Sequence, residues 1–424
     1  MGYYIFKRLI TIIPFGLLAI LLVFYVFESS WDPNSLSGQS SRDFQNIDQK
    51  QLQEARCAQR RALHLDWPVF YFSISSKAIP DDINQTCSEF DRRLIGLLCY
   101  HNGNYEGALN FLSILNKTIN TQFEPSLDRI FTLESVDEVA ALLAGYPALE
   151  KSFNAYENND QSFKIFIPKL RFHFGENRFH EWVSNLAKFD LGKSSIDNQL
   201  ISKKINNALS NTLIFTLPAV FIIFTLSILI GLWSVQKKGK GASLVSNLLY
   251  FIDSIPLIWL SIIIILIASF FGLGYSTLDI GTDTFMGKIT RYGLPTFTLI
   301  IASIPYVTKQ IQQSMEETES KPFVKMAIAK GLPNKAIFTQ HILPNASLPI
   351  VTLFFNYLAY AFGGAFVVEI VFSISGIGKL MADSVLGNDL PVISAIILYL
   401  IFIKMILTLL SDVVNYWLNP SIKF

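Results

Sequence analysis

The chain has 424 residues, of which 51% are hydrophobic, 13% aromatic and 16% charged, with a formal net charge of +1. The net charge by itself says nothing about nucleic acid, which is not an expected partner; what matters is where the cations sit. Sparse charge combined with long apolar runs excludes a large soluble core and points to a bilayer, where about 20 apolar residues carry an α-helix across ~30 Å of hydrocarbon.

Six such runs follow one another, at 9–27, 213–235, 248–273, 294–307, 348–372 and 392–410. Backbone groups in lipid must be satisfied within the segment, so each run is predicted to be helical. The fourth is short and is extended by taking in Tyr292 and Thr308. The first follows Lys7 and Arg8 and has the look of a signal peptide. It is longer than a usual signal core and lacks a small-x-small cleavage site, so it reads as an uncleaved anchor.

Between the first two runs lies a mostly polar segment, 29–204. Two amphipathic helices are predicted there, at 90–100 and 105–119, with a Gly-containing turn at 101–103. Ser135 is placed to start a further helix over 136–144. Cys57, Cys87 and Cys99 all fall in this segment. An oxidising compartment would permit one disulfide, and local spacing favours Cys87–Cys99; the alternative is three isolated small hydrophobes. His64, His101, His173, His180 and His341 are scattered, form no metal-ligand pattern, and read as solvated or packed side chains.

Cations are distributed unevenly around the remaining runs. Lys237, Lys238 and Lys240 follow the second, and Lys309, Lys321, Lys325, Lys330 and Lys335 lie between the fourth and fifth. The opposite loops hold little beyond Lys288, Arg291 and Lys379. This bias predicts that both termini and the basic loops face the cytoplasm, with 29–204 outside. Pro256 and Pro305 free backbone carbonyls within the third and fourth runs, either as simple kinks or as broken helices lining a path.

The connection at 309–345 is long for one with no core of its own. Pro322 suits a first helical turn and Gly331 a C-cap, predicting a short helix between them. A second short helix, 334–342, is predicted to break at Pro344. Ala327 and Ala329, beside Gly331, are small enough to let another protein approach closely. In the fifth run Gly363 and Gly364 permit close helix packing, and Glu369 is either a charge at a helix end or a group lining a path. Lys404, inside the sixth run, either snorkels to headgroups or meets a partner. No phosphate-cradling Gly-x4-Gly-Lys-Ser/Thr, Gly-x-Ser-x-Gly or His-Glu-x-x-His motif occurs, so no catalytic, cofactor or metal site is expected.

The run Ala327-x-Ala329-Lys330-Gly331-Leu332-Pro333, followed by Leu343-Pro344-Asn345-Ala346, resembles the cytoplasmic loop of the dipeptide/oligopeptide (nickel) permease family of ABC importers. Stretches 364–373, 376–380 and 419–423, together with Asp389-x-Pro391, are similar to later parts of that family. So are Trp182, Asp190-Leu191-Gly192-x-Ser194 and, near the start, Trp31-Asp32-Pro33 and Leu65-Asp66-Trp67-Pro68. Lys325 and Met326 depart from its pattern. Residues 73–178 have no counterpart and look like an insertion.

The resemblance implies an all-α polytopic membrane protein with six transmembrane helices in the type I ABC importer permease fold. An extracytoplasmic helical insertion lies between helices 1 and 2. Its parts would be 1–28, the first helix; 29–204, the outer segment; and 205–424, the transmembrane core with a coupling loop at 308–346. It further implies a non-enzymatic subunit, multi-pass in the bacterial cytoplasmic (inner) membrane, that translocates peptides. Its implied partners are a second homologous permease, two ATP-binding cassette ATPases and an extracytoplasmic solute-binding protein. Ala327, Ala329, Lys330, Gly331, Leu332, Pro333, Leu343 and Pro344 would couple to the ATPases, and Glu369, Pro256 and Gly364 are candidates for the translocation path. The alternatives are a nickel or other small-solute permease, and a secondary transporter or channel, which usually carries paired intramembrane acids or inverted repeats.

Overall fold

The computed structural model describes residues 2–424 apart from 31–56, 58–60, 62, 63, 65, 80–82, 84, 85, 87, 123–126, 134, 237, 238, 272–288, 364 and 419–424. Expectations for Cys87, Lys237, Lys238, Lys288, Gly364 and the motifs at 31–33 and 419–423 fall outside the described residues. The chain divides into two units, 1–33 with 191–424, and 34–190.

The first helix, α1 (Gly2–Ser30), is apolar over 10–28 and belongs to the first unit. The second unit then contains β1 (Phe72–Ser76), α2 (Glu89–Asn102), α3 (Tyr105–Gln122), α4 (Val136–Leu143), α5 (Pro147–Glu157), β2 (Pro168–Phe172) and α6 (Arg178–Ala187). Local chemistry sets several of these boundaries. The Ser88 side chain accepts from the Asp91 N–H and starts α2, and that of Ser135 accepts from the Asp137 N–H and starts α4. Gly103 closes α2 at φ +67, with its N–H on the Cys99 carbonyl. A Cβ there would lie 2.3 Å from the Gln161 carbonyl oxygen, so glycine is required both by conformation and by space.

The helices bury Leu98, Phe111, Leu115, Val139, Leu149 and Phe153 in one cluster. The Tyr156 hydroxyl reaches into it to donate to the Leu98 carbonyl at 2.6 Å. The sheet is a second feature, and no sequence signal predicted it. Its strands pair antiparallel with Phe72 opposite Phe172, a partnership across about a hundred residues that no local pattern announces.

The cysteines correct the predicted pairing. Cys57 is disulfide-bonded, whereas Cys99 is a free, fully buried thiol. Its position on the inner face of α2, among Leu98 and Leu115, removes it from any solvent-side partner. Burial pushes its pKa from 9.0 to about 12. Above about pH 9 an unfolded thiol ionises while the folded one stays protonated, so this group's contribution to stability falls as pH rises from about 9 towards 12. Thiol titration of the non-reduced chain should find Cys99 unreactive while folded and a single reactive thiol after denaturation. Three reactive thiols would remove the disulfide.

The first unit continues with α7 (Ile201–Gln236), α8 (Lys240–Asp253), α9 (Leu257–Phe270), α10 (Leu294–Glu319), α11 (Pro322–Ala329), α12 (Asn334–Ile337), α13 (Leu343–Gly363), α14 (Phe366–Val371), α15 (Ile377–Leu386) and α16 (Leu390–Leu418). Among the described residues, four stretches are long and apolar enough to cross a membrane: 10–28, 201–236, 334–371 and 390–418. A fifth is gained if α8 and α9 form one broken span. These two helices are bent by 96° at Ser254-Ile255-Pro256, so the run at 248–273 is not one straight helix. Proline disfavours helical geometry at the residue before it and cannot donate to the turn behind it, and here the chain breaks rather than kinks.

The run at 294–307 is part of α10, which does not reach the same apolar threshold. Thr298, Thr308, Ser314 and Thr318 of α10 are buried. The helix packs along α7, where Phe215, Ala219 and Ile223 share a cluster with Val307, Ile311 and Met315. A helix walled in by protein can carry polar residues that a lipid-facing one cannot.

Elsewhere polar residues find partners on neighbouring helices. The Lys404 ammonium donates to the Asn356 side-chain oxygen across α16 and α13. Asn415 donates to the Thr352 hydroxyl at 2.9 Å along the same pair. Gly16 of α1 meets the tip of Met405 on α16, where an added Cβ would lie 2.8 Å from the methyl carbon.

Candidate functional site

The connection after α10 is built as a rigid element. Lys321 is extended, as a residue before proline should be, and Pro322 opens α11. At its end the Gly331 N–H reaches the Ile328 carbonyl (2.9 Å) and the Leu332 N–H the Ala327 carbonyl (3.3 Å). With Gly331 at φ +74, this is a complete Schellman closure. Nothing lies within 4 Å of a Cβ built on Gly331, so its requirement for glycine is conformational.

The faces of α11 differ from the expectation. Val324 and Ala327 point inward and join Ile311, Met315, Ile337 and Ala346 in the chain's own core. Ala327 is therefore buried, which corrects its assignment as a small residue presented to a partner. The outward face carries Met326 and Ile328, 59% and 57% exposed, with Lys325, Ala329, Lys330, Gly331, Leu332 and Pro333 exposed around them. Beside this face opens a cleft of about 670 Å³ lined by Val235, Gln236, Glu319, Ile328, Lys335 and Phe338.

Pro344 does not break the following helix. After α12 the backbone makes one wide turn over Phe338–Ile342, in which the Leu343 N–H reaches the Phe338 carbonyl, and it runs on into α13. The wide turn and the Asn345 side chain, which donates to the His341 carbonyl at 2.7 Å, accommodate the donor that proline lacks. Leu343 and Pro344 thus lie at the start of α13 rather than in a separate knob. Ser314 fastens this region to α10 by donating to the Ala346 carbonyl at 3.0 Å.

The candidate path residues separate. Pro256 sits exposed at the α8–α9 break. Glu369 is fully buried within the chain, so it does not face an open path in this structure. Its carboxylate accepts from the Thr212 hydroxyl at 2.7 Å and from the Lys379 N–H at 3.0 Å. Thr212 in turn accepts from the Ile377 N–H at 2.9 Å. The carboxylate therefore caps the N-terminus of α15 from another helix, where donors are unpaired and the dipole favours negative charge. Gly376 and Gly378 make room for it: a Cβ on Gly376 would lie 2.4 Å from the Glu369 carboxyl carbon, and one on Gly378 would lie 2.8 Å from the Phe366 Cα. Thr212 and these two glycines give no sign of their role in sequence, because they lie on other elements.

Two of the motifs quoted from sequence also meet. Asp389, just before α16, is buried and accepts from the Ser195 N–H at 3.0 Å and from the Ser194 hydroxyl. The Lys204 ammonium lies 3.8 Å from Asp389 and 2.9 Å from Asp197. Desolvation opposes ionisation of Asp197, but bonds from Lys204 and the Gln199 N–H hold its carboxyl below the ordinary value. The segment leading into α7 is thereby clasped to the start of α16.

Residues 200–424, more than half of the chain, match the family described as binding-protein-dependent transport system inner membrane component. The metal-staphylopine import system permease protein CntB of Staphylococcus aureus is 26% identical over 247 residues, covering 58% of this chain and 77% of that one. The oligopeptide transport system permease protein AppB of Bacillus subtilis is 28% identical over 254 residues, covering 58% and 80%. A putative peptide transport system permease protein of Brucella abortus is 26% identical over 250 residues, covering 58% and 79%.

Proposed function

Since the chain belongs to the family of binding-protein-dependent transport system inner membrane components, and is thus a multi-pass permease subunit of an ABC importer, we propose that it conducts peptides, driven by two separate ATPase subunits that dock on α11. A second homologous permease completes the pathway, and an extracytoplasmic binding protein delivers the cargo. The observation that carries the coupling role is the exposed apolar face of α11 beside its cleft, on a helix opened by Pro322, closed at Gly331 and rooted in the core. Push on that face passes through Val324 and Ala327 to Ile311 and Met315 of α10, so the helix transmits displacement instead of absorbing it.

Peptide cargo is supported by similarity to the AppB and Brucella permeases. A metal-chelate cargo is the second reading, supported by similarity to CntB. Uptake of a labelled oligopeptide, competed by unlabelled peptide but not by a nickel chelate, is the result expected of the first reading; the reverse competition would overturn it.

We place six crossings in the membrane, α10 among them, with both termini and α11 cytoplasmic. Asn159 and Ser243 are exposed, and this topology puts Asn159→Cys outside and Ser243→Cys in the cytoplasm. An impermeant thiol reagent should label the first and spare the second in intact cells. Labelling of Ser243→Cys alone would invert the topology.

A further inference from the structure

The β1–β2 sheet is built inside out for a soluble domain. Phe72 and Ile74 alternate onto one face of β1 and stand opposite Phe172 and Leu170 of β2. All four side chains are exposed, Ile74 at 70% and Phe172 at 65%. The opposite face holds the polar residues: Ser73 bonds to His173, and buried Arg171 donates to Ser75 and the Ile79 carbonyl. Phe166, 84% exposed, extends the apolar face beyond the start of β2, and Phe174 extends it beyond the end. A contiguous apolar face of this kind marks a surface that meets something other than water.

We propose that this face rests on the bilayer surface, with its aromatic rings at the level of the lipid headgroups. Two features select lipid over a protein partner. Residues 161–174 contain Lys164, Lys169 and Arg171 and no carboxylate, and Lys169 stands opposite Ser75 on the polar face, so cations occupy one side of the sheet and apolar side chains the other. Phe, Leu and Ile on one face with Lys and Arg on the other is the division of an element that lies in a membrane interface, and lysine is depleted in hydrophobic protein contacts. The segment is also held at both ends by membrane helices, α1 ending at Ser30 and α7 starting at Ile201, so a bilayer is always within its reach. The inference needs those two helices to cross the membrane and holds whichever side the segment occupies.

Spin labels on Phe166→Cys and, in a second variant, Phe172→Cys test it in the full chain reconstituted into anionic phospholipid vesicles. Both side chains are exposed, so neither substitution removes core packing. The expected result is more frequent collision with oxygen than with a water-soluble nickel complex at both sites. A label on Asn159→Cys should show the opposite ratio. Aqueous behaviour at both Phe sites would overturn the proposal, and so would labels shielded from both relaxers, which would mean a protein cover.

Discussion

Glu369→Ala is expected to lower the apparent melting temperature and membrane abundance of the chain, at a cost of about 2–4 kcal/mol. The carboxylate is fully buried and accepts from the Thr212 hydroxyl and the Lys379 N–H. Truncation leaves the N-terminus of α15 with donors that nothing else in the site can satisfy, and a buried unpaired donor costs more than a bond contributes. Glu369→Gln keeps one acceptor oxygen and should lose less. Gly378→Ala tests the same site by sterics, since its Cβ would meet the Phe366 backbone at 2.8 Å, and backbone cannot step aside as a side-chain tip can. Wild-type melting of Glu369→Ala would show that the cap contributes nothing to holding α15 in place.

Ala327→Asp is expected to be a folding mutant. Its Cβ faces Val324, Ile337 and Ile342 in the core that fastens α11 to α10. An aspartate there buries a charge with no partner, which costs several kcal/mol unless the helix detaches. Abundance should fall sharply, and whatever remains should be cleaved by protease near 320–333. Normal abundance with a protease-resistant loop would place Ala327 on the outer face after all.

Features legible in the sequence were those decided by neighbours in the chain. Gly331 was predicted as a C-cap and adopts φ +74, and the helices at 89–102 and 105–122 follow the predicted amphipathic pair and its Gly103 turn. Ser135 starts α4 as a hydroxyl before an apolar run should. What was not legible depended on distant partners. In Pro322–Ala329 apolar residues occupy every side, so periodicity could not tell the inward pair Val324 and Ala327 from the outward pair Met326 and Ile328. Spacing suggested Cys87–Cys99, but Cys99 is committed to a core assembled from four helices. Pro344 looked like a breaker because a wide turn that absorbs a proline has no sequence signature, and at Pro256, where a kink and a broken helix were both open, the chain bends by 96°. Glu369 was open between a charge at a helix end and a group lining a path, and its contacts are set by Thr212 and by glycines on another helix.

The central claim is that α11 receives the ATPases through its outer face, and Ile328→Asp tests it most directly. Ile328 is 57% exposed and lines the cleft, so an aspartate there disturbs no internal packing and leaves the fold intact. The measurement is co-purification of the ATPase subunits with the assembled permease, with cargo-stimulated ATP hydrolysis of the same sample. The expected result is normal abundance and melting of the permease, with the ATPases lost or their hydrolysis no longer responsive to cargo. Full ATPase recovery and cargo-stimulated hydrolysis at the wild-type level would contradict the account.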